Sequence, residues 1–174
     1  MRIGIIGPTQ VGRFLDINKF AEHNYSHFIH QLAEFLAKTD DELLVVPEPT
    51  AAPVNLGLIY RDLGGKKVVG LMPDHDEELG YNWLDTKLVD ETISCGTWRN
   101  QPEAFCENSD VLLMIGLSPG TMAELCYAKW FKVKKIIIFK KWISALIHPE
   151  VTSGLNVVYI ESIEELEKEL MELR

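Results

Sequence analysis

The fold is decided by one stretch of the sequence, DVLLMIGLSPGTMAE, which runs from Asp110 to Glu124. Its first half is a continuous apolar run, which is typical of a strand buried on both faces at the centre of a parallel sheet. In its second half Pro119 follows Ser118, as at a helix start, because serine caps free N–H groups and proline has none to cap. The stretch therefore predicts a buried strand, a tight turn at Gly116 and a helix.

Short apolar runs alternate with amphipathic stretches on both sides of this unit. The predicted strands cover residues 2–6, 43–46, 68–71, 88–93, 110–115, 136–139 and 157–160. The predicted helices cover residues 24–38, 53–63, 98–107, 118–131 and 162–173, and the predicted loops include residues 7–18 and 72–85. This order predicts an α/β fold of Rossmann type, with three layers (α/β/α) and a mostly parallel sheet of about six or seven strands. We expect residues 1–174 to form a single domain, because the length suits one core and no segment has linker composition.

The composition limits the partners that this chain can have. Its formal net charge is −9, so its field repels a phosphate backbone and we expect no nucleic-acid partner. The longest apolar runs have the length of strands, so we expect no association with a membrane. Three cysteines without a close pair argue against a disulfide framework, and the sequence starts with a predicted strand rather than a secretory signal. These features predict a cytoplasmic protein.

The predicted helix start after Gly116 has the chemistry of an anion site. Free N–H groups, the positive end of the helix dipole and the hydroxyls of Ser118 and Thr121 converge where a phosphate would fit. Gly120 has no side chain to keep a ligand from the backbone. Glu124 shares this helix face and leans toward the helix start, where a carboxylate suits ribose hydroxyls or positive charge on an anomeric carbon. The same residues also fit a routine helix start with a surface glutamate, and the local pattern leaves both interpretations open.

The arrangement of Gly120, Thr121 and Glu124 resembles the nucleotide-binding turn of the LOG (lonely guy) family and of the related molybdenum-cofactor carrier proteins. In both groups Gly-Thr, two further residues and Glu follow a buried strand, and Gly116 matches the first glycine of the carrier type. The chain is therefore identified as a divergent member of this superfamily. The resemblance implies a Rossmann-like nucleotide-binding domain over residues 1–174.

A second match lies upstream of the buried strand. In the family an Arg followed by Lys or Asn opens the preceding helix, and an Asp begins the strand; Arg99-Asn100 and Asp110 occupy these places here. The resemblance covers roughly residues 2–139, and only the Gly-Thr/Glu turn is a specific motif.

The resemblance implies an activity and a set of site residues. LOG-type enzymes cleave the N-glycosidic bond of a nucleoside 5′-monophosphate and release a base and ribose 5-phosphate. The implied catalytic residues are Glu124, which would orient ribose and stabilise the cationic ribosyl centre, and Arg99, which would form a bidentate contact to phosphate or carboxylate. The implied ligand-binding residues are Asn100, Gly116, Ser118, Gly120 and Thr121, and we expect Gly7 and Pro8, after the first strand, to form one wall of the same cleft. No metal and no cofactor is required.

Two departures from the family pattern weaken the expectation of catalysis. Leu117 and Ser118 replace two glycines of the phosphate loop, and Pro47-Glu48-Pro49-Thr50 replaces glycines expected after the second strand. The leading hypothesis is therefore binding of a nucleotide or a phosphorylated nucleotide-derived ligand, with hydrolysis as a further possibility. The alternatives are a non-catalytic cofactor carrier and an interaction protein that kept the fold without a ligand. By analogy with the family, we expect a homodimer or a higher homo-oligomer.

Other patterns in the sequence are weaker. His23, His27 and His30 have the spacing of one helix face, but His23 is expected to precede the helix and no carboxylate completes a metal site. The glycines at positions 7 and 12 do not form a dinucleotide fingerprint, because a third glycine is missing and no helix is expected to follow promptly. The four tryptophans are too scattered to predict a stacking surface and are assigned to the core or an interface: Trp83, Trp98, Trp130 and Trp142.

Overall fold

The computed structural model describes the whole chain, Met1–Arg174, and contains one sheet of seven strands. The strands are β1 Arg2–Ile6, β2 Glu42–Val45, β3 Val68–Met72, β4 Glu91–Ser94, β5 Val111–Met114, β6 Lys135–Phe139 and β7 Val157–Ile160. Their order is β4-β3-β2-β1-β5-β6-β7, and all neighbours are parallel. Because β1 pairs with β2 on one side and with β5 on the other, the order of the chain reverses at β1.

Helices cover both faces of this sheet. They are α1 Val11–Asn18, α2 Glu22–Ala37, α3 Ala52–Asp62, α4 Gln101–Glu107, α5 Pro119–Tyr127, α6 Pro149–Thr152 and α7 Ile163–Met171. Single 3-10 turns occur at Thr86–Leu88, Trp98–Asn100, Ala128–Trp130 and Lys140–Trp142. None of the helices is long and apolar enough to cross a membrane.

The central strands are buried on both faces, as their apolar sequences predict. In β5 and the residue after it, Leu113 and Ile115 belong to a core shared with α2, α3 and α7, whereas Leu112 and Met114 belong to a second core shared with α4 and α5. This alternation follows from the two-residue period of a strand. The predicted α/β/α architecture with a parallel sheet is confirmed.

The first loop is predicted wrongly, because a helix follows β1 almost at once. Helix α1 has apolar residues at helical spacing, Val11, Phe14 and Leu15, but it spans only eight residues, contains Gly12 and begins after Gln10, whose side chain makes no capping hydrogen bond. Phe14 packs against the rings of Phe20 and Tyr25, with ring centroids 5.6 and 5.4 Å away. The helix ends at Lys19, whose φ of 56° is left-handed. Tertiary packing therefore stabilises a helix that is too short to be stable alone and has no capping side chain at its start.

Several element boundaries also differ from the predictions; α5, for example, ends at Tyr127 rather than at Phe131. The fourth strand begins at Glu91 rather than at Leu88, since Asp85 caps a 3-10 turn over Thr86–Leu88 by accepting a hydrogen bond from the backbone N–H of Lys87 at 2.9 Å. Helix α2 begins at Glu22, so His23 lies inside the helix and not before it.

Candidate functional site

A cavity of about 350 Å³ opens at the carboxyl edge of the sheet, beside the point where the chain order reverses. Parallel α/β sheets bind ligands at such switch points, and this volume lies in the range of small-molecule sites. Its lining comes from the ends of β1 and β2, from α3 to α5 and from two tryptophans: Ile5, Ile6, Gly7, Thr9, Val46, Glu48, Ala51, Pro53, Trp83, Trp98, Gln101, Phe105, Ser118, Gly120, Thr121 and Glu124.

The start of α5 forms one wall of the cavity. Ser118 caps the helix, as its position before Pro119 predicts, and its Oγ accepts a hydrogen bond from the N–H of Thr121 at 3.3 Å. The hydroxyls of Ser118 and Thr121 are 2.9 Å apart, and that of Thr121 also lies 3.5 Å from the carbonyl oxygen of Gly7. The first turn of α5 is thus fixed against the end of β1, with N–H groups that have no partner inside the helix.

Gly116 makes the turn before α5 and is required by packing. Its φ is 157°, and a Cβ at this position would lie 2.8 Å from Cδ of Pro8 and 3.0 Å from Cζ of Phe14. The carbonyl of Ile115, just before it, accepts a hydrogen bond from the Tyr25 hydroxyl at 2.8 Å. These contacts hold the end of β5 against α1 and α2, so Gly116 positions the site without lining the cavity.

Glu124 is the buried acid of the site. Its side chain lines the cavity although the residue is only 7% exposed. Burial in this environment raises the pKa of Glu124 to about 7, and the hydrogen bond from Gln101 opposes the rise. Near neutral pH the carboxyl group is therefore divided between its two protonation states, as suits a group that meets changing charge.

Gln101 is a site residue that the sequence patterns do not single out. Its Nε2 donates a hydrogen bond to Oε1 of Glu124 at 2.8 Å, and both residues line the cavity. Gln101 is the first residue of α4, which packs beside α5. Its partner lies 23 positions away, so only the packing of the two helices creates the pair.

The cavity is acidic. Glu48 and Glu124 line it, and no lysine, arginine or histidine does. Glu48 comes from the Pro47–Thr50 segment after β2, and its Oε1 accepts hydrogen bonds from the backbone N–H and the hydroxyl of Thr50 at 3.3 and 3.0 Å. The positive potential along the lining comes from helix N-termini, that of α5 and those of α3 and α4, which also begin at the cavity.

The structure brings together some of the predicted site residues and leaves others apart. Five of them line the cavity: Gly7, Ser118, Gly120, Thr121 and Glu124. Arg99 and Asn100 are exposed and lie outside the lining, and the guanidinium of Arg99 pairs with Glu78 at 2.8 Å. Pro8 lines a neighbouring cavity of about 450 Å³, which shares Thr9 and Ser118 with the first and also contains Arg13. The predicted roles of Arg99 and Asn100 stay predictions.

An aromatic pair borders the same cavity, so the prediction that the tryptophans are too scattered to stack is wrong for two of them. The rings of Trp83 and Trp98 are parallel within 4°, with centroids 5.9 Å apart. Trp83 belongs to the acidic segment predicted as a surface loop, and Trp98 belongs to the turn before α4. Their 15-residue separation follows no helical or strand period, and no local pattern reveals the contact.

Comparisons with solved structures agree with this fold. The fold is similar to that of the Moco carrier protein from Chlamydomonas reinhardtii, with 20% identity, a TM-score of 0.70, and coverage of 99% of this chain and 96% of that chain. It is also similar to the molybdenum cofactor binding protein from the phototrophic bacterium Rippkaea orientalis, with 18% identity, a TM-score of 0.74 and the same coverage. At these identities the likeness establishes the fold alone. No curated protein matched the sequence.

The sequence itself also matches a family model. The match spans residues 1–167, which include every residue of the cavity. It agrees with the resemblance carried by Gly120, Thr121 and Glu124, and with the likeness of the fold to molybdenum-cofactor carriers. The chain therefore belongs to the SLOG cluster4 family.

Proposed function

We propose that the cavity binds a nucleotide or a phosphorylated nucleotide-derived ligand, with its phosphate at the first turn of α5 and its ribose beside Glu124. The observation that carries this proposal is the presence of two complementary groups in one cavity. The open helix start with Gly120 and Thr121 suits an anion, and the buried carboxyl of Glu124 suits sugar hydroxyls. Family membership supports a ligand of this class.

Gly120 supports the placement of the phosphate. A Cβ there would meet only the Ser118 Oγ, at 3.8 Å, so the packing of the protein does not require glycine at this position. A ligand that approaches the backbone closely would require it. Arg13, in the neighbouring cavity that contacts Ser118, is the cation best placed to neutralise a phosphate that reaches beyond the helix start.

Hydrolysis of the N-glycosidic bond of a nucleoside 5′-monophosphate is the second candidate, and the buried carboxyl of Glu124 favours it. In this reaction the bond between C1′ and the base breaks, its electron pair leaves with the base, and water forms the new bond to C1′. The base takes up one proton for the one that water loses. Ionised Glu124 would stabilise the positive charge that develops on the ribosyl group.

A carrier role is the alternative to hydrolysis. Two solved structures with a similar fold are a Moco carrier protein and a molybdenum cofactor binding protein, and a carrier needs the cavity but no reaction. The replacement of phosphate-loop glycines by Leu117 and Ser118 favours binding over turnover.

Calorimetry and an assay for free base test these proposals together. AMP, GMP and ribose 5-phosphate are titrated into the protein, and each nucleotide is then incubated with it. We expect binding of AMP and of ribose 5-phosphate; base release would establish the hydrolase, and binding without release would favour the carrier. If no phosphorylated ligand binds or raises the melting temperature, the binding proposal fails and an interaction protein without ligand becomes the better explanation.

The surroundings of the site support two further proposals. Trp130 is 71% exposed, and its ring packs against that of Tyr127 near the end of α5, so this surface is proposed as the contact of a homo-oligomer. The three cysteines are all free and two are buried, which suits a reducing compartment such as the cytoplasm.

A further inference from the structure

Trp83 and Trp98 stack on each other at the border of the cavity that contains Glu124. Their parallel rings have centroids 5.9 Å apart, and both side chains line the cavity. Offset parallel stacking leaves outer ring faces free for a third planar ring.

Trp98 is held firmly in this position. Its indole Nε1 donates a hydrogen bond to the carbonyl oxygen of Gly80 at 2.6 Å, and its backbone N–H donates to Oδ2 of Asp76 at 2.9 Å. The other carboxylate oxygen of Asp76 accepts from the N–H of Leu79 at 2.9 Å. Asp76 thus ties the acidic segment to the turn before α4, and Trp98 is fixed before any ligand arrives.

The side chain of Trp83 is less tightly held by the rest of the protein than that of Trp98. It is 49% exposed, and its indole N–H has no hydrogen-bond partner within the chain. Its segment is nevertheless anchored next to the cavity, because the N–H of Asp85 donates to the carbonyl oxygen of Pro47 at 3.0 Å. A large aromatic side chain that is half exposed at the border of a cavity has apolar area left to bury against a ligand.

We infer that Trp83 and Trp98 are the stacking surface for the planar heteroaromatic ring of the ligand, and that they make the site selective for a bicyclic ring such as a purine. The inference rests on the proposed function, since the phosphate and ribose of that ligand occupy the α5 side of the same cavity. A bicyclic ring buries more area against an indole face than a pyrimidine does.

The charge of the cavity limits which heteroaromatic rings of a ligand can bind there. Glu48 and Glu124 line it without a cation, so it disfavours a ring that carries a negative charge. Ring N–H and amino groups can instead donate hydrogen bonds to the carboxylate oxygen of Glu48 that does not contact Thr50. Neutral aminopurines meet both conditions.

Calorimetric titration of three probes into four proteins tests the inference. The probes are AMP, adenosine and ribose 5-phosphate; the proteins are the wild type, Trp83→Leu, Trp83→Phe and the control Trp130→Leu, whose side chain is 71% exposed and outside the cavity. We expect Trp83→Leu to lower the affinity for AMP and adenosine by about 5- to 100-fold, as for loss of one base–aromatic stack. The affinity for ribose 5-phosphate should not change. Trp83→Phe should recover most of the loss, and Trp130→Leu should have no effect.

The probes separate this inference from the proposed function. If ribose 5-phosphate binds but AMP binds no more tightly, or if Trp83→Leu leaves AMP unaffected, the stacking role is overturned and the phosphate site stands. If ribose 5-phosphate and AMP do not bind but adenosine does, with the expected loss in Trp83→Leu, the phosphate site fails and the stacking role stands. Failure of both AMP and adenosine to bind the wild type overturns the stacking role. Unchanged melting curves establish that the variants are folded.

Discussion

Gly12 and Gly120 occupy the same position in two helices: each is the second residue, of α1 and of α5, and neither is packed. A Cβ at Gly12 would have no neighbour within 4 Å, and one at Gly120 would meet only Ser118 Oγ at 3.8 Å. They differ in their surroundings, because Gly120 lines the cavity and Gly12 does not. The pair therefore separates the effect of alanine on a helix from its effect on a ligand.

We expect Gly12→Ala and Gly120→Ala each to stabilise the protein by up to about 1 kcal/mol, because alanine restricts the unfolded chain and favours the helix. Gly120→Ala alone should lower the affinity for AMP, by about tenfold or more, since the alanine methyl group would occupy the space that the phosphate needs. Melting curves and calorimetry measure the two effects. Equal AMP affinity in both variants would contradict the placement of the phosphate.

The raised pKa of Glu124 predicts how stability depends on pH. Between the ordinary value of about 4.5 and the folded value of about 7, the folded state keeps a proton that the unfolded state has released. Folding is therefore favoured below this window, and the contribution is lost as the pH rises through it, by on the order of 3 kcal/mol. Urea unfolding of the wild type and of Glu124→Gln at pH 5 and pH 8 measures it. The variant should lack this decline; parallel curves would show that the carboxyl group is not desolvated.

Gln101 should control where that window lies. Gln101→Met keeps the approximate shape of the side chain and removes the N–H that stabilises the ionised carboxyl of Glu124. The folded pKa of Glu124 should rise further, and the decline in stability should extend to higher pH. If the protein releases base from AMP through ionised Glu124, the pH midpoint of that activity should rise as well. A change in overall stability without a shift along the pH axis would mean that Gln101 acts through packing alone.

We expect Arg13, but not Arg99, to contribute to binding of the phosphate. Arg13 shares a cavity with Ser118, whereas Arg99 pairs with Glu78 away from the lining. We expect Arg13→Gln to lower the affinity for AMP by about tenfold, as for loss of one charge-assisted hydrogen bond, and to leave the affinity for adenosine unchanged. Arg99→Gln should change neither, and Glu78→Gln serves as its partner control. Loss of AMP binding in Arg99→Gln alone would restore the role implied by the family resemblance.

The sequence predicts the central β5-turn-α5 unit well because its signals are local. A continuous apolar run, Ser118 before Pro119 and the face shared by Gly120 and Glu124 all lie within 15 residues. The hydrogen bond from the Thr121 N–H to Ser118 Oγ is a direct result of this order.

What the sequence does not predict depends on contacts between distant segments. Helix α1 is stabilised by Phe14 and Leu15, which are buried in the core, and a segment of only eight residues is too short for the spacing of its apolar residues to predict a helix alone. Gln101 reaches Glu124 only because α4 and α5 lie side by side. The stacking of Trp83 on Trp98 depends on hydrogen bonds within irregular segments, which have no repeating pattern to read.

Because the cavity lining and the chain as a whole are acidic, we expect the binding of anionic ligands to depend on ionic strength. The chain carries a formal net charge of −9, so an anionic nucleotide approaches against the long-range field before it meets the α5 N-terminus. Salt screens this repulsion over a Debye length of about 10 Å at 0.1 M and about 30 Å at 0.01 M. Association of AMP should therefore become faster as salt is added, whereas association of adenosine should hardly change. In dilute buffer, binding of anionic ligands to this protein should therefore be weakest. A basic site shows the opposite behaviour, because dilute buffer strengthens its attraction for anions.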